Sequence, residues 1–120
     1  MDLETSRSLH QLALTALEEG RLEESVLLLR SAVRDHTPNP QAWNDLGIVM
    51  EILGNPTQAA ECYSHALCMN PFHREARSNL LGLEMQTMLR KQMKQQAAQI
   101  VMSRIKPASS EARIARAISA

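Results

Sequence analysis

The sequence predicts an all-α fold, a right-handed α-solenoid of stacked helix hairpins, and three observations carry that prediction. Good helix formers (Leu, Ala, Met, Gln, Glu and Arg) dominate the 120 residues, whereas the aromatic set is one Trp, one Tyr and one Phe. A β-sandwich would need far more aromatic and β-branched positions. Apolar residues also recur at helical spacing on paired segments punctuated by Gly or Asn-Pro. Finally, the whole pattern returns after about 34 residues. At this length the chain is expected to be one domain, residues 1–120, with a modest core.

The clearest unit spans residues 40–73. Asn39-Pro40 opens its first helix, with Asn as cap and Pro tolerated in the first turn. Trp43, Leu46, Gly47 and Met50 then share one helical face. Gly47 has no side chain, which lets a second helix come close. Gly54-Asn55-Pro56 reads as a stop and restart: Gly ends one helix, Asn caps the next and Pro takes its first position. Ala59, Tyr63, Ala66 and Leu67 form the returning apolar stripe, and Asn70-Pro71 closes the unit. Trp43 is expected to be buried between these helices and against the preceding hairpin.

Shifting the frame back by one period maps Trp43 on Leu9, Leu46 on Leu12, Gly47 on Ala13, Gly54 on Gly20 and Tyr63 on Leu29. Residues 6–39 therefore form a second hairpin, with Ser25 at a small-residue position. Shifting forward, the pattern weakens. Trp43 maps on Arg77, Gly47 on Leu81 and the turn residue Gly54 on Met88.

Trp43-x-x-Leu46-Gly47, Gly54, Ala59-Ala60, Tyr63, Ala66-Leu67 and Pro71 together resemble the tetratricopeptide repeat (TPR), a helix hairpin of 34 residues. The resemblance is firm over residues 6–73 and loose over 74–107. It implies a non-catalytic interaction module or adaptor whose first helices line a concave groove for a peptide segment of a partner. Carried over residue by residue, the partner-binding positions are His10, Gln11 and Leu14 from the first hairpin, Gln41, Asn44, Asp45, Ile48 and Ile52 from the second, and Asn79 beyond. Family grooves that grip the C-terminal carboxylate of heat-shock chaperones need cations and amides at positions that here hold His10, Leu14, Asp45, Glu75 and Asn79. Two acids stand among them, so that specialisation is not expected. The family also includes secretion chaperones and the targeting segments of larger enzymes such as transferases, and both remain alternatives.

Residues 74–106 allow two structures: a degenerate third hairpin bending near Met88–Lys91, or one long helix. No Gly or Pro occurs between Gly82 and Pro107, which favours the long helix. Its distal part would expose Met93, Ala97, Ile100, Val101 and Ile105, an apolar stripe suited to self-association as a homodimer. After Pro107, Ser109-Ser110 is expected to cap a short tail helix over 109–119, with Ile114 and Ile118 on one face.

Charge is divided along the chain. Residues 1–73 carry four basic against ten acidic residues, −6, and residues 74–120 carry nine against three, +6. The basic segment lacks aromatic residues for base stacking and any nucleic-acid recognition motif, so it reads as a solvated helix face and no nucleic-acid partner is expected. Cys62 and Cys68 lie about 9 Å apart along one helix, too far for a disulfide. Cys62-x-x-His65-x-x-Cys68 lacks a fourth ligand and the remaining histidines, His10, His36 and His73, are scattered, so no metal is expected. No phosphate loop or nucleophile elbow is present, and neither an enzymatic role nor a cofactor is expected. No apolar run approaches membrane-spanning length and the first residues lack a signal pattern, from which a cytoplasmic location is expected.

Overall fold

The structure, a computed structural model, describes residues 2–34 and 37–119, with side chains as far as Ile105. Helices make up its regular structure: α1 (Leu3–Glu18), α2 (Leu22–Ala32), α3 (Pro40–Ile52), α4 (Pro56–Met69) and α5 (Arg74–Ser119). Two compact units follow, Met1–Leu83 and Glu84–Ala120.

In the first unit α1 packs on α2 and α3 on α4, with α2 joining the two hairpins through α3. The turn chemistry does what its residues allow. Gly20 and Gly54 both take the left-handed conformation, at φ of 77° and 80°. Each follows a helix whose end is closed by a paired set of bonds. Arg21 N donates to Ala16 O at 2.8 Å and Gly20 N to Leu17 O at 3.0 Å, and Asn55 N donates to Met50 O at 2.8 Å and Gly54 N to Glu51 O at 3.0 Å. Glycine accepts this conformation without the steric penalty of a Cβ. Asn39 caps α3 as expected, its Oδ1 accepting from Ala42 N at 3.1 Å. Asn55 holds the corresponding place before α4 without a side-chain cap bond.

The core runs through both hairpins, from Ala13, Leu29 and Ala32 to Leu46, Val49, Met50, Ala59 and Tyr63. Tyr63 is wholly buried over Gly47, where an added Cβ would lie 2.5 Å from the ring. Its hydroxyl donates to Glu51 Oε1 at 2.6 Å. Burial first, and then that bond, push the hydroxyl well above its ordinary range. A buried polar junction ties the hairpins together: Ser6 Oγ donates to Ala32 O at 2.6 Å and accepts from Asn39 Nδ2 at 2.9 Å. Hydropathy alone marks Ser6 as surface, and only the junction explains its burial.

Trp43 departs from expectation. It is half-buried, its ring stacked on His65 with centroids 4.3 Å apart and planes 20° apart. It does sit between its own hairpin and the preceding one, but the polar side chains Arg30, Arg34 and His65 adjoin it and leave part of the indole uncovered.

α5 is one helix from Arg74 to Ser119, unbroken at Met88–Lys91. The repeat frame puts Met88 where Gly20 and Gly54 turn the chain, and a residue with a Cβ disfavours the left-handed step. The separate tail helix expected over 109–119 is a correction: the helix continues through Pro107. Proline forfeits one hydrogen bond and crowds the preceding turn, and the helix nevertheless runs on past it. Ile114 and Ile118 lie outside the residues whose side chains are described. In the second unit Met93, Ile100, Val101 and Ile105 are 67%, 56%, 50% and 60% exposed, and Ala97 is exposed as well. No helix among the described residues is long and apolar enough to cross a membrane.

Cys62 is buried and Cys68 exposed. Burial, then the charge of Glu61, push the Cys62 thiol up to about 11 from 9.0. Since the thiolate is penalised only in the folded chain, the stability tied to the neutral thiol is complete below pH 9.0 and falls as pH rises toward 11. A thiol reagent at neutral pH should therefore label Cys68 and spare Cys62 until the protein is unfolded, read by mass spectrometry of a digest. Equal labelling of both would place Cys62 at the surface.

Candidate functional site

Of the residues expected to bind a partner, His10, Gln41, Asn44, Asp45 and Asn79 converge on a continuous polar ladder, and Gln11, Leu14, Ile48 and Ile52 stand outside it. The ladder crosses α1, α3 and the first turns of α5, all within the first unit. His10 Nε2 on α1 meets Asp45 Oδ2 on α3 at 2.6 Å, with 13% and 14% of the two side chains exposed. Gln41 Nε2 donates to Asp45 Oδ1 at 3.0 Å and to Glu75 Oε2 at 3.1 Å. Asn44 Nδ2 donates to the same Glu75 oxygen at 3.2 Å, and Asn44 Oδ1 accepts from Asn79 Nδ2 at 2.9 Å.

His73 closes the ladder and sets its polarity. Its Nδ1 accepts from Ala76 N at 3.1 Å, capping α5, so Nε2 carries the hydrogen and donates to Gln41 Oε1 at 3.0 Å. Gln41 is thereby oriented with its NH2 toward the two carboxylates. Such a chain of bonds holds each member in one rotamer. Glu75 is exposed and receives only neutral amide donors, so its negative charge is not offset by a cation in the ladder.

The repeat itself builds these pairs. His10 and Asp45 are 35 residues apart, Gln41 and Glu75 34, and Asn44 and Asn79 35. Side chains one period apart face each other because successive first helices lie side by side. That is the signal by which His73 and Glu75 could be found from sequence, since the shift that turns Asn39 into His73 also turns one helix cap into the next. The scattered histidines of the linear chain thus divide: His10 and His73 join one network, and His36 lies outside the described residues.

The positions on α3 separate by chemistry along the helix. Gln41, Asn44 and Asp45 occupy its first half, while Ile48 and Ile52, 38% and 62% exposed, follow in the second. Leu14 is half-buried on α1 and Gln11 exposed beside it. Asn44 is wholly buried with both ends of its amide engaged, so it braces neighbouring helices. Gln11, Ile48 and Ile52 present the accessible surface, with Glu75 at its polar end. Cys62, His65 and Cys68 do not converge: one is buried, one lies on Trp43 and one faces solvent. Among the described residues no group of three His, Cys, Asp or Glu could hold a metal ion.

No family model matches the chain. Among curated proteins it is 36% identical over 61 residues to tetratricopeptide repeat protein 7B of Mus musculus, and equally to that of Homo sapiens. The match covers 51% of this chain and 7% of either relative, so the chain spans a small fraction of their length. Among solved structures, the Sgt2 TPR domain from Aspergillus fumigatus superposes with a TM-score of 0.63 at 20% identity, over 72% of this chain and 57% of that one. The first TPR of Spaghetti (RPAP3), bound to the HSP90 peptide SRMEEVD, gives 0.68 at 14% identity over the whole of both chains.

Proposed function

Given its tetratricopeptide-repeat fold, we propose that this chain is a non-catalytic adaptor that holds a peptide segment of a partner protein on the face formed by α1, α3 and the start of α5. One observation carries the reading: a braced polar ladder lies beside exposed Ile48 and Ile52. The ladder offers a fixed set of acceptors to a peptide backbone or to cationic side chains, and the isoleucines supply apolar anchors. The relation of Spaghetti to an HSP90 peptide supports peptide binding as a use of this fold. It does not extend to a C-terminal carboxylate here. Asp45 and Glu75 stand at the places where such a ligand needs cations or amides, and like charges repel.

Ile48→Arg with Ile52→Arg should lower capture of the native partner by about tenfold or more, as loss of central apolar anchors does. Both side chains are exposed, so the helical circular dichroism should be kept. Capture at parental strength would remove the face from consideration.

The chain's regions of opposite charge and the bare stripe of α5 support a second element of the reading, self-association through residues 85–105 in a cytoplasmic protein. Pairing like patches across a two-fold axis is the commonest way to close such a surface. Sedimentation of the parent should give a dimer or larger species, and Ile100→Glu with Val101→Glu a monomer. A parent that remains monomeric at high concentration would end that element while leaving the groove untouched.

A further inference from the structure

A pocket of about 420 Å³ opens where α2, α3 and α4 meet, within the 300–1,000 Å³ range of ligand clefts. It shares no residue with the polar ladder. At 100° per residue, Trp43, Leu46 and Met50 project from the side of α3 opposite Gln41, Asn44, Asp45 and Ile48.

Burial gives the pocket its layers. Val33, Leu46, Met50 and Cys62 are buried and form an apolar floor. The stacked Trp43 and His65 make one wall. Trp43 Nε1 is buried and has no hydrogen-bond partner among the described residues. Exposed Arg30 and Arg34, one helical turn apart, stand at the mouth with Glu61. Neither arginine is paired with a carboxylate among the described residues. Among the described lining residues two arginines stand against one glutamate, a net positive set on a segment whose formal charge is −6 over residues 1–73.

We propose that this pocket is a second recognition site, which takes an apolar side chain adjoining a carboxylate, as in an acidic-apolar peptide segment of a partner protein. The floor and the indole favour an aliphatic group that can leave water. The guanidinium pair favours the neighbouring carboxylate, which arginine binds through two parallel hydrogen bonds. Charge complementarity selects this occupant over a basic one, because a cationic segment would meet both arginines at the mouth. The inference is independent of the groove, whose carboxylates select against acidic ligands. Together the two faces would let one small module hold two segments of opposite character.

Trp43 is the chain's one tryptophan, so the pocket contains its own reporter. The full chain is titrated with a capped, tryptophan-free peptide of alternating leucine and glutamate, and with its twin carrying lysine for glutamate, while the indole emission is followed. The expected result is a saturable change with the glutamate peptide, binding at least about tenfold weaker for the lysine twin, and a similar loss in Arg30→Glu with Arg34→Glu. The groove variant Ile48→Arg with Ile52→Arg should bind the glutamate peptide as the parent does, which separates this site from the other. Should the charge-reversed variant lose helicity, Arg30→Gln with Arg34→Gln replaces it and should show the same direction. No saturable change in the parent, equal binding of the two peptides, or parental affinity in the arginine variants would each overturn the proposal.

Discussion

Tyr63→Ala is expected to cost about 3–5 kcal/mol of folding stability, the range for removing a large aromatic side chain from a core. The ring is 0% exposed, lies against Gly47 at the heart of the second hairpin and anchors its hydroxyl on Glu51. Urea unfolding followed by circular dichroism measures the loss. A cost below about 1 kcal/mol would mean that the ring is not in the core, because changes away from special features are usually that small. The same packing makes Gly47→Ala costly in the parent. Its Cβ would lie 2.5 Å from Cε1 and 2.7 Å from Cδ1 of a ring hemmed in by the core. Overpacking of that kind costs about 1–3 kcal/mol. In the Tyr63→Ala background the clash is gone, so Gly47→Ala should add almost nothing there. Strictly additive costs would show that the glycine serves some purpose other than seating the ring.

Trp43→Ala is expected to cost about 2–3 kcal/mol, below the 3–5 kcal/mol of a fully enclosed Trp, because part of the indole faces the pocket. Its stacking on His65 and its contact with the α2–α3 junction are what is lost. Trp43→Phe should cost much less than Trp43→Ala. It keeps an aromatic surface and removes the indole N–H, which is buried without a partner among the described residues, at a penalty of about 1–3 kcal/mol. Thermal and urea unfolding of both variants check the order. A phenylalanine variant as damaged as the alanine one would show that the N–H is satisfied in solution.

These two side chains mark how far the linear chain could be read. Gly47 was legible as the small residue that lets a second helix come close and Tyr63 as part of the returning apolar stripe, but that the ring lies on this glycine was decided by packing. The exposure of Trp43 was not legible. Its position in the repeat predicts burial, but burial depends on what surrounds it, and here those neighbours include two arginines and a histidine.

The candidate site divides in the same way. The family resemblance put His10, Gln41, Asn44, Asp45 and Asn79 on the first-helix face, and in the structure these five meet in one ladder. That Asn44 is buried while Gln11 and Ile48 are accessible was beyond that resemblance. So was the part played by His73, whose two ring nitrogens cap α5 and orient Gln41 at once.

By itself the sequence determined the local structure of the two hairpins, their helices and their glycine turns at Gly20 and Gly54, whereas for residues 74–106 it favoured one helix but left a bent third hairpin open. The helices and turns follow from backbone preference and from periodicity, which act over a few residues and can be read in order. Only the tertiary structure decided which polar groups satisfy one another, which junction buries Ser6, and where a pocket with two arginines at its mouth opens between α2, α3 and α4. Those outcomes depend on distances between residues 26 to 35 positions apart, and such distances exist only once the helices have packed.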